Sequence, residues 1–250
     1  MSEPTTVTAA VLVIGDEILS GRTKDKNIGY IAEYLSRIGV DLREARVVPD
    51  VETEIVAALN ALRARFDYVI TTGGIGPTHD DITADAVGRA FGAPVGEDPR
   101  AMAIMLERYA PGDLTPARCR MARMPEGSEL IDNPISRAPG FKIGNVFVLA
   151  GVPSVMQAML DSAVKAMRTG VVMQVESIEA GAVPEGRYGD ALGEIAKANP
   201  AVSIGSYPSF KDGRFMNQIV VRGKDAAAVA TARADVEAML VTLGANGKPL

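Results

Sequence analysis

The stretch Thr71-Thr72-Gly73-Gly74-Ile75-Gly76-Pro77-Thr78-His79-Asp80-Asp81-Ile82-Thr83 limits what this chain can fold into more than any other. It follows an apolar strand pattern, Tyr68-Val69-Ile70, and leads into a helical pattern from Thr83. Gly73, Gly74 and Gly76 let the backbone turn tightly and approach a ligand with no Cβ in the way. Successive N–H groups in such a turn, together with a helix N-terminus, form a seat for phosphate oxygens. Asp80 and Asp81 at the far end would repel a phosphate unless a cation lies between. Mg²⁺ is commonly held by one or two carboxylates plus substrate phosphates, so the pattern points to a metal–pyrophosphate ligand. A plain strand–turn–helix connection capped by Asp81 or Thr83 accounts for one acid and one threonine, but not for three glycines and a second acid.

Strand, glycine turn and helix recur along the chain. Residues 7–14 are a near-continuous apolar run, as in a parallel strand buried on both faces. Residues 15–21 follow as a loop carrying Asp16 and Glu17. Neither this loop nor the Gly74-Ile75-Gly76 turn has the P-loop or dinucleotide fingerprint. Residues 25–38 read as an amphipathic helix ended by Gly39, 40–48 as a strand, and 66–72 as a third strand. Asp50 is placed to cap the helix between the last two, whose apolar stripe is Ile55, Leu59 and Leu62. This order implies right-handed crossovers and a mostly parallel sheet. Ligands of such sheets bind outside the carboxyl ends of the strands, so Asp16/Glu17, Asp50 and the glycine loop are expected on one rim.

Further on, a helix is expected from Thr83 to about Phe91. Residues 99–109 read as a helix with Met102, Met105 and Leu106 on one side, more often core or subunit interface than a functional surface. Residues 115–124 read as a helix bearing Arg118, Arg120 and Arg123, usually a solvated face, with one arginine able to reach a phosphate. Turns around short strands lead to a strand at 146–149 and a helix from Pro153 through Met167. The chain divides into 1–169 and 170–250, the second part reading strand, helix, strand, strand, helix, a small α+β unit. Its strands are expected at 171–178, 202–207 and 218–222, with helices at 189–198 and 225–243. The residues from Gly244 read as a free tail. Gly186-Arg187-Tyr188-Gly189 matches the GxxG of an RNA-binding KH loop, a pair that arises easily by chance among 25 glycines.

Composition narrows the function classes. The 250 residues are 47% hydrophobic, enough for a proper core in one large domain or one domain plus a small appendage. A net charge of −5 speaks against a broad nucleic-acid surface. The single cysteine, Cys119, excludes an intrachain disulfide or a cysteine-based zinc site and reads as structural. Met1-Ser2-Glu3-Pro4 lacks the basic start and apolar core of a signal peptide. Residues 143–160 carry no charge but are interrupted by Gly144, Asn145, Gly151, Pro153, Ser154 and Gln157, so they do not read as a membrane span. The expectation is a cytoplasmic soluble protein without membrane or nucleic-acid partners.

The motifs resemble the molybdopterin-binding MoaB/Mog superfamily, and within it the N-terminal part of the CinA (competence/damage-inducible protein A) family. The resemblance rests on Gly15-Asp16-Glu17-Ile18-Leu19-x-Gly21 with Asn27, on Pro49-Asp50, and on Thr72 through Thr83 with Thr78, Asp80 and Asp81. It continues through Asn133-Pro134, Ala138-Pro139-Gly140-Phe141 and Gly151-Val152-Pro153. Gly205-Ser206-Tyr207-Pro208 also looks like the similar domain of FAD synthases. The resemblance implies a three-layer α/β/α fold with a mostly parallel sheet, followed by a small KH-like or ferredoxin-like α+β unit. It also implies a metal-dependent pyrophosphatase acting on ADP-ribose or FAD-like nucleotides, with Mg²⁺, Mn²⁺ or Co²⁺ and K⁺; the alternative is a non-catalytic binder of molybdopterin in molybdenum cofactor biosynthesis.

The expected roles follow from both readings. Asp81 and Asp50 would be catalytic and hold the metal. Gly73, Gly74, Gly76, Thr72, Thr78, Asp16, Glu17, Asn27, Gly151 and Pro153 would line the ligand, a phosphate or pyrophosphate. His79, the only histidine, reads as a loop residue near the site. By resemblance the chain self-associates as a dimer or trimer. Two departures stand out. The further C-terminal amidase domain of CinA proper has no counterpart in these 250 residues, so its nicotinamide-mononucleotide deamidase activity is not expected. Val155 stands where the family often has Glu.

Overall fold

In the computed structural model, which describes residues 6–211 and 214–244, the apolar run Val7–Ile14 forms β1, an inner strand of a sheet. Met1-Ser2-Glu3-Pro4 and the tail beyond Gly244 lie outside the described residues. Side chains of a strand alternate between faces. Ala10, Leu12 and Ile14 therefore enter one core and Ala9, Val11 and Val13 the other. Both faces are covered, which is why β1 reads as continuously apolar rather than alternating.

Around β1 the chain adds α1 (Asp16–Leu19), α2 (Asn27–Arg37), β2 (Val40–Val48), α3 (Glu52–Arg63) and β3 (Tyr68–Thr72). It then forms α4 (Thr83–Phe91), β4 (Val95–Glu97), α5 (Pro99–Leu106), α6 (Pro116–Cys119) and β5 (Arg123–Pro125). The first unit closes with β6 (Glu129–Ile131), β7 (Gly140–Ile143), β8 (Val146–Leu149) and α7 (Pro153–Ala163). The main sheet has the order β2-β1-β3-β8-β7-β6. β2, β1, β3 and β8 run parallel, and β7 and β6 are antiparallel additions at one edge. Ile55, Leu59 and Leu62 of α3, Val87 of α4 and Met105 of α5 cover one face; Ile31 and Leu35 of α2 and Met156, Met159 and Leu160 of α7 cover the other. Burying one such side chain is worth roughly 1.5–3 kcal/mol. The two faces, not the loops, therefore hold the layers together.

The fold departs from the sequence reading at several places in this unit: the helix expected over 99–109 ends at Leu106 and the strand expected over 66–72 begins at Tyr68. Residues 15–21 are not all loop, since Asp16–Leu19 makes one helical turn. Residues 115–124 do not form one helix: α6 gives way to a 3-10 turn, Arg120–Ala122, and then to β5. The reason is tertiary, because β5 pairs with β4, a strand with no signal of its own. The helix expected from Pro153 through Met167 ends at Ala163 and passes into a 3-10 turn, Val164–Ala166. Of the expected stripe on α5, Met105 is buried but Leu106 is exposed.

The chain splits into two compact units, Met1–Gly170 and Val171–Leu250. The second has the order β9 (Gln174–Gly181), α8 (Gly189–Ala198), β10 (Val202–Lys211), β11 (Arg214–Gly223), α9 (Ala226–Thr242). Its antiparallel sheet, β10-β11-β9, shares a core with the two helices through Ile178, Ile219, Val221, Val229, Val236 and Leu240. Asp225 caps α9 by accepting from the N–H of Ala227 at 2.8 Å. All three strands differ in extent from the expectation; β9 begins three residues later because it takes its register from β11, from Gln174↔Gly223. The GxxG segment runs from a 3-10 turn, Glu185–Arg187, into the start of α8, and between them Tyr188 is buried with its hydroxyl 2.9 Å from Ser206 Oγ. Among the described residues no helix is long and apolar enough to cross a membrane.

Candidate functional site

Four parallel strands that lie side by side end on one rim, so the loops after β2, β1, β3 and β8 must meet there. Gly15, after β1, donates its N–H to Val48 O at the end of β2 at 3.1 Å. The next N–H, of Asp16, donates to Asp50 Oδ2 at 2.9 Å. Gly73, after β3, donates to Leu149 O at the end of β8 at 3.2 Å. Asn27 closes the ring by donating from Nδ2 to Gly151 O at 2.9 Å. Asp16, Asp50, Asn27, Gly73 and Gly151, far apart in sequence, are thus tied together. Glu17 adds its charge to the same rim, and Pro153 opens α7 beside it.

The glycine loop is shaped by close backbone approach. Gly73 has φ +102°, and a Cβ there would overlap the carbonyl oxygen of Ile14. Gly74 has φ +67°, and a Cβ there would overlap Thr83 Oγ1. Such conformations favour glycine, and here the space forbids a side chain as well. Thr83 pins the base of the loop to α4: its Oγ1 donates to Gly73 O at 2.9 Å and its N–H to Gly74 O at 3.0 Å. The caps of a plain strand–turn–helix connection, Asp81 or Thr83, are not made. α4 starts after Ile82 with no side-chain cap bond, and Thr83 serves the loop instead. The sequence signal was present in Thr83, but it read as a cap. The Gly73 N–H closes onto Leu149 and is therefore spent on the fold.

The acids take separate positions. Asp81 Oδ2 accepts from the Thr78 N–H at 2.8 Å and from the Thr78 hydroxyl, so this carboxylate braces its own loop. His79 is 99% exposed and 3.9 Å from Asp80, a placement that gives it no fixed orientation. Asp50 does not cap α3, whose cap position is Val51 with no side-chain bond; it receives the Asp16 N–H instead. Burial pushes the Asp50 carboxyl above the usual carboxylate range, and the charges of Asp16, Glu17 and Asp80 push it the same way, against the pull of the Asp16 N–H. Of the glycine-loop acids, Asp80 adds its charge to this push. Among the described residues no group of three or more His, Cys, Asp or Glu side chains could hold a metal ion. The rim is not a protein cage. Its surplus of negative charge fits a cation that arrives with phosphate and keeps water or phosphate oxygens as most of its ligands, the habit of Mg²⁺.

Polar capacity is left over around this rim. Thr71 Oγ1, Thr72 Oγ1 and Asn27 Oδ1 are buried without a hydrogen-bond partner among the described residues. Beside the loop, Gly74, Gly76, Asp81, Arg120, Arg123 and Phe141 line an open recess. Val155, on α7, packs against the sheet core. Cys119 is partly buried and its thiol lies 3.8 Å from Leu114 O, a local packing contact.

Residues 10–169 match the family described as "Probable molybdopterin binding domain", and residues 173–245 match "FAD synthase, middle domain". A protein of Pyrobaculum calidifontis is 35% identical over 211 residues, 80% of this chain and 80% of that protein. A CinA-like protein of Citrifermentans bemidjiense is 44% identical over 168 residues, 64% of this chain but 40% of its own length. The crystal structure of "the protein CinA with unknown function" from Thermoplasma acidophilum is 36% identical, with TM-score 0.60 over 64% of this chain and 96% of that one. With a family match across most of its length and CinA-like proteins among its relatives, this chain belongs to the molybdopterin-binding-domain family of MoaB/Mog type.

Proposed function

We propose that the rim binds a phosphate or pyrophosphate ligand together with a divalent metal, and that the protein hydrolyses a nucleotide pyrophosphate of the ADP-ribose or FAD class. The observation that carries this reading is the meeting of the glycine loop with Asp16 and Asp50 across three adjacent strand ends. The N–H groups of Gly74 and Gly76 would meet the anion, while Thr83 holds the base of the loop through Gly73. Asp50, with Asp80 or Asp81, would hold the metal; when bound, such an ion neutralises charge on phosphoryl oxygens and lowers the pKa of its water. The ring of rim hydrogen bonds fixes these groups before any ligand arrives, which spares the cost of ordering them.

The reading is tested by incubating the protein with ADP-ribose or FAD, with Mg²⁺, Mn²⁺ or Co²⁺ and with or without K⁺, and separating the products. AMP with ribose 5-phosphate, or AMP with FMN, is the expected result. The Asp50→Ala variant should lose at least tenfold in rate. Substrates that stay intact under every condition rule the hydrolase out.

A second reading, a binder of molybdopterin that carries its ligand without turnover, draws on two observations. Val155 is packed into the core where the family often has Glu, and the Asp81 carboxylate is engaged with Thr78. Saturable binding of a pterin phosphate that is recovered unchanged would favour it, and failure to bind any pterin would end it.

A further inference from the structure

Arg118, Arg120 and Arg123 lie close together in sequence, and the fold separates them sharply. Arg118 is committed: its Nη1 donates to Asp113 O at 2.6 Å and its guanidinium lies 4.7 Å from the centre of the Tyr109 ring. Arg123 is committed as well, in a bidentate pair with Asp85 at 2.9 and 2.7 Å. Arg120 differs. Its Nη2 reaches Asp81 O only at 3.5 Å, its Nε is buried with no partner, and it forms no ion pair among the described residues. An unmatched buried donor costs about 1–3 kcal/mol, more when it belongs to a charged group. A fold that carries such a cost at the wall of a recess gains from any ligand that fills it.

The position of Arg120 says which ligand. It lines the same recess as Gly74, Gly76 and Asp81, so a group seated in that recess lies beside both the arginine and the glycine loop. Guanidinium matches phosphate geometry in pairs of parallel hydrogen bonds. We infer that Arg120 seats a second phosphoryl group beside the one held by the glycine loop, so that the site selects diphosphates over monophosphates. This rests on the phosphate-binding reading above and adds to it the number of phosphates and the residue that counts them.

The test compares inorganic pyrophosphate with inorganic phosphate by titration calorimetry at one fixed Mg²⁺ concentration. In the Arg120→Gln variant the ratio of pyrophosphate to phosphate affinity should fall ten- to a hundredfold. Arg120→Lys should restore only part of it, since an ammonium keeps the charge but loses the fork. Arg118→Gln should leave the ratio within twofold. Thermal melts of Arg120→Gln should equal or exceed those of the parent, because only a marginal contact is lost and an unmatched charged donor is removed. Equal losses for both anions would mean that Arg120 merely braces the Asp81 carbonyl, and an unchanged ratio would mean that it touches no ligand; either overturns the inference alone. A parent protein that binds neither anion would overturn the phosphate reading with it.

Discussion

The two ends of the parallel sheet treat their polar groups in opposite ways. At the N-terminal end Asp67, just before β3, accepts from both the N–H and the hydroxyl of Thr8 at 2.8 Å, and from Arg168 at 3.1 Å. These donors, the Thr8 N–H foremost, hold its carboxyl below the usual range. Tyr68 and Asn145 at the same end are also paired, to the Arg168 N–H and to the carbonyls of Arg63 and Phe66. At the C-terminal end Asp50 is held above that range. Of the five buried polar atoms without a partner among the described residues, four, on Asn27, Thr71, Thr72 and Arg120, lie toward this end, and the fifth is Asn217 Oδ1. One end is satisfied by the chain itself. The other keeps polar atoms that no described residue pairs.

That contrast breaks most directly at the backbone of the rim. Gly73→Ala puts a Cβ into the Ile14 carbonyl at a φ that L residues avoid, and should cost about 3 kcal/mol in a urea denaturation curve. Loss of that size shows that the rim, although its polar side chains are unfilled, is rigid in its main chain. A loss below about 1 kcal/mol would mean that the loop yields, and that its shape waits for the ligand.

At the satisfied end, Asp67→Ala leaves the Thr8 donors unmatched and should cost about 2 kcal/mol at pH 7, with no change in anion affinity. The folded-state pKa is lowered, so the stabilisation is present above the unfolded value, about 3.9, and is lost as pH falls through the folded one. Parent and variant should therefore draw together in acid.

Asp50→Asn should give the smallest effect on stability and the opposite sign. The amide still accepts the Asp16 N–H, while the charge repelled by Asp16, Glu17 and Asp80 is gone. Here the folded pKa is raised, so the penalty is absent below the unfolded value and develops as pH rises through the folded one. At pH 7 the variant should be as stable as the parent or gain up to about 1 kcal/mol, the gain vanishing near pH 3, while metal-dependent anion binding weakens. A variant clearly less stable at pH 7 would mean that Asp50 is a structural acid like Asp67.

Much of this was legible in the residues taken in order. The apolar run of β1 announced a strand covered on both faces, and the alternation of strands with helices placed Asp16, Asp50 and the glycine loop on one rim. The β-α-β-β-α order of the small unit was also readable, because periodicity and turn chemistry act over a few residues. What only the tertiary structure decided were the partners. The donor to Asp50 lies 34 residues away, the acid of Arg123 38 residues away, and the donors to Asp67 59 residues away. Those distances gave Asp50 the Asp16 N–H in place of the α3 cap, left Arg120 rather than Arg118 or Arg123 with an unpaired donor, and made β5 a strand where the local pattern read as helix. Local sterics set which element a residue joins; which group ends up unpaired is settled only when distant segments meet.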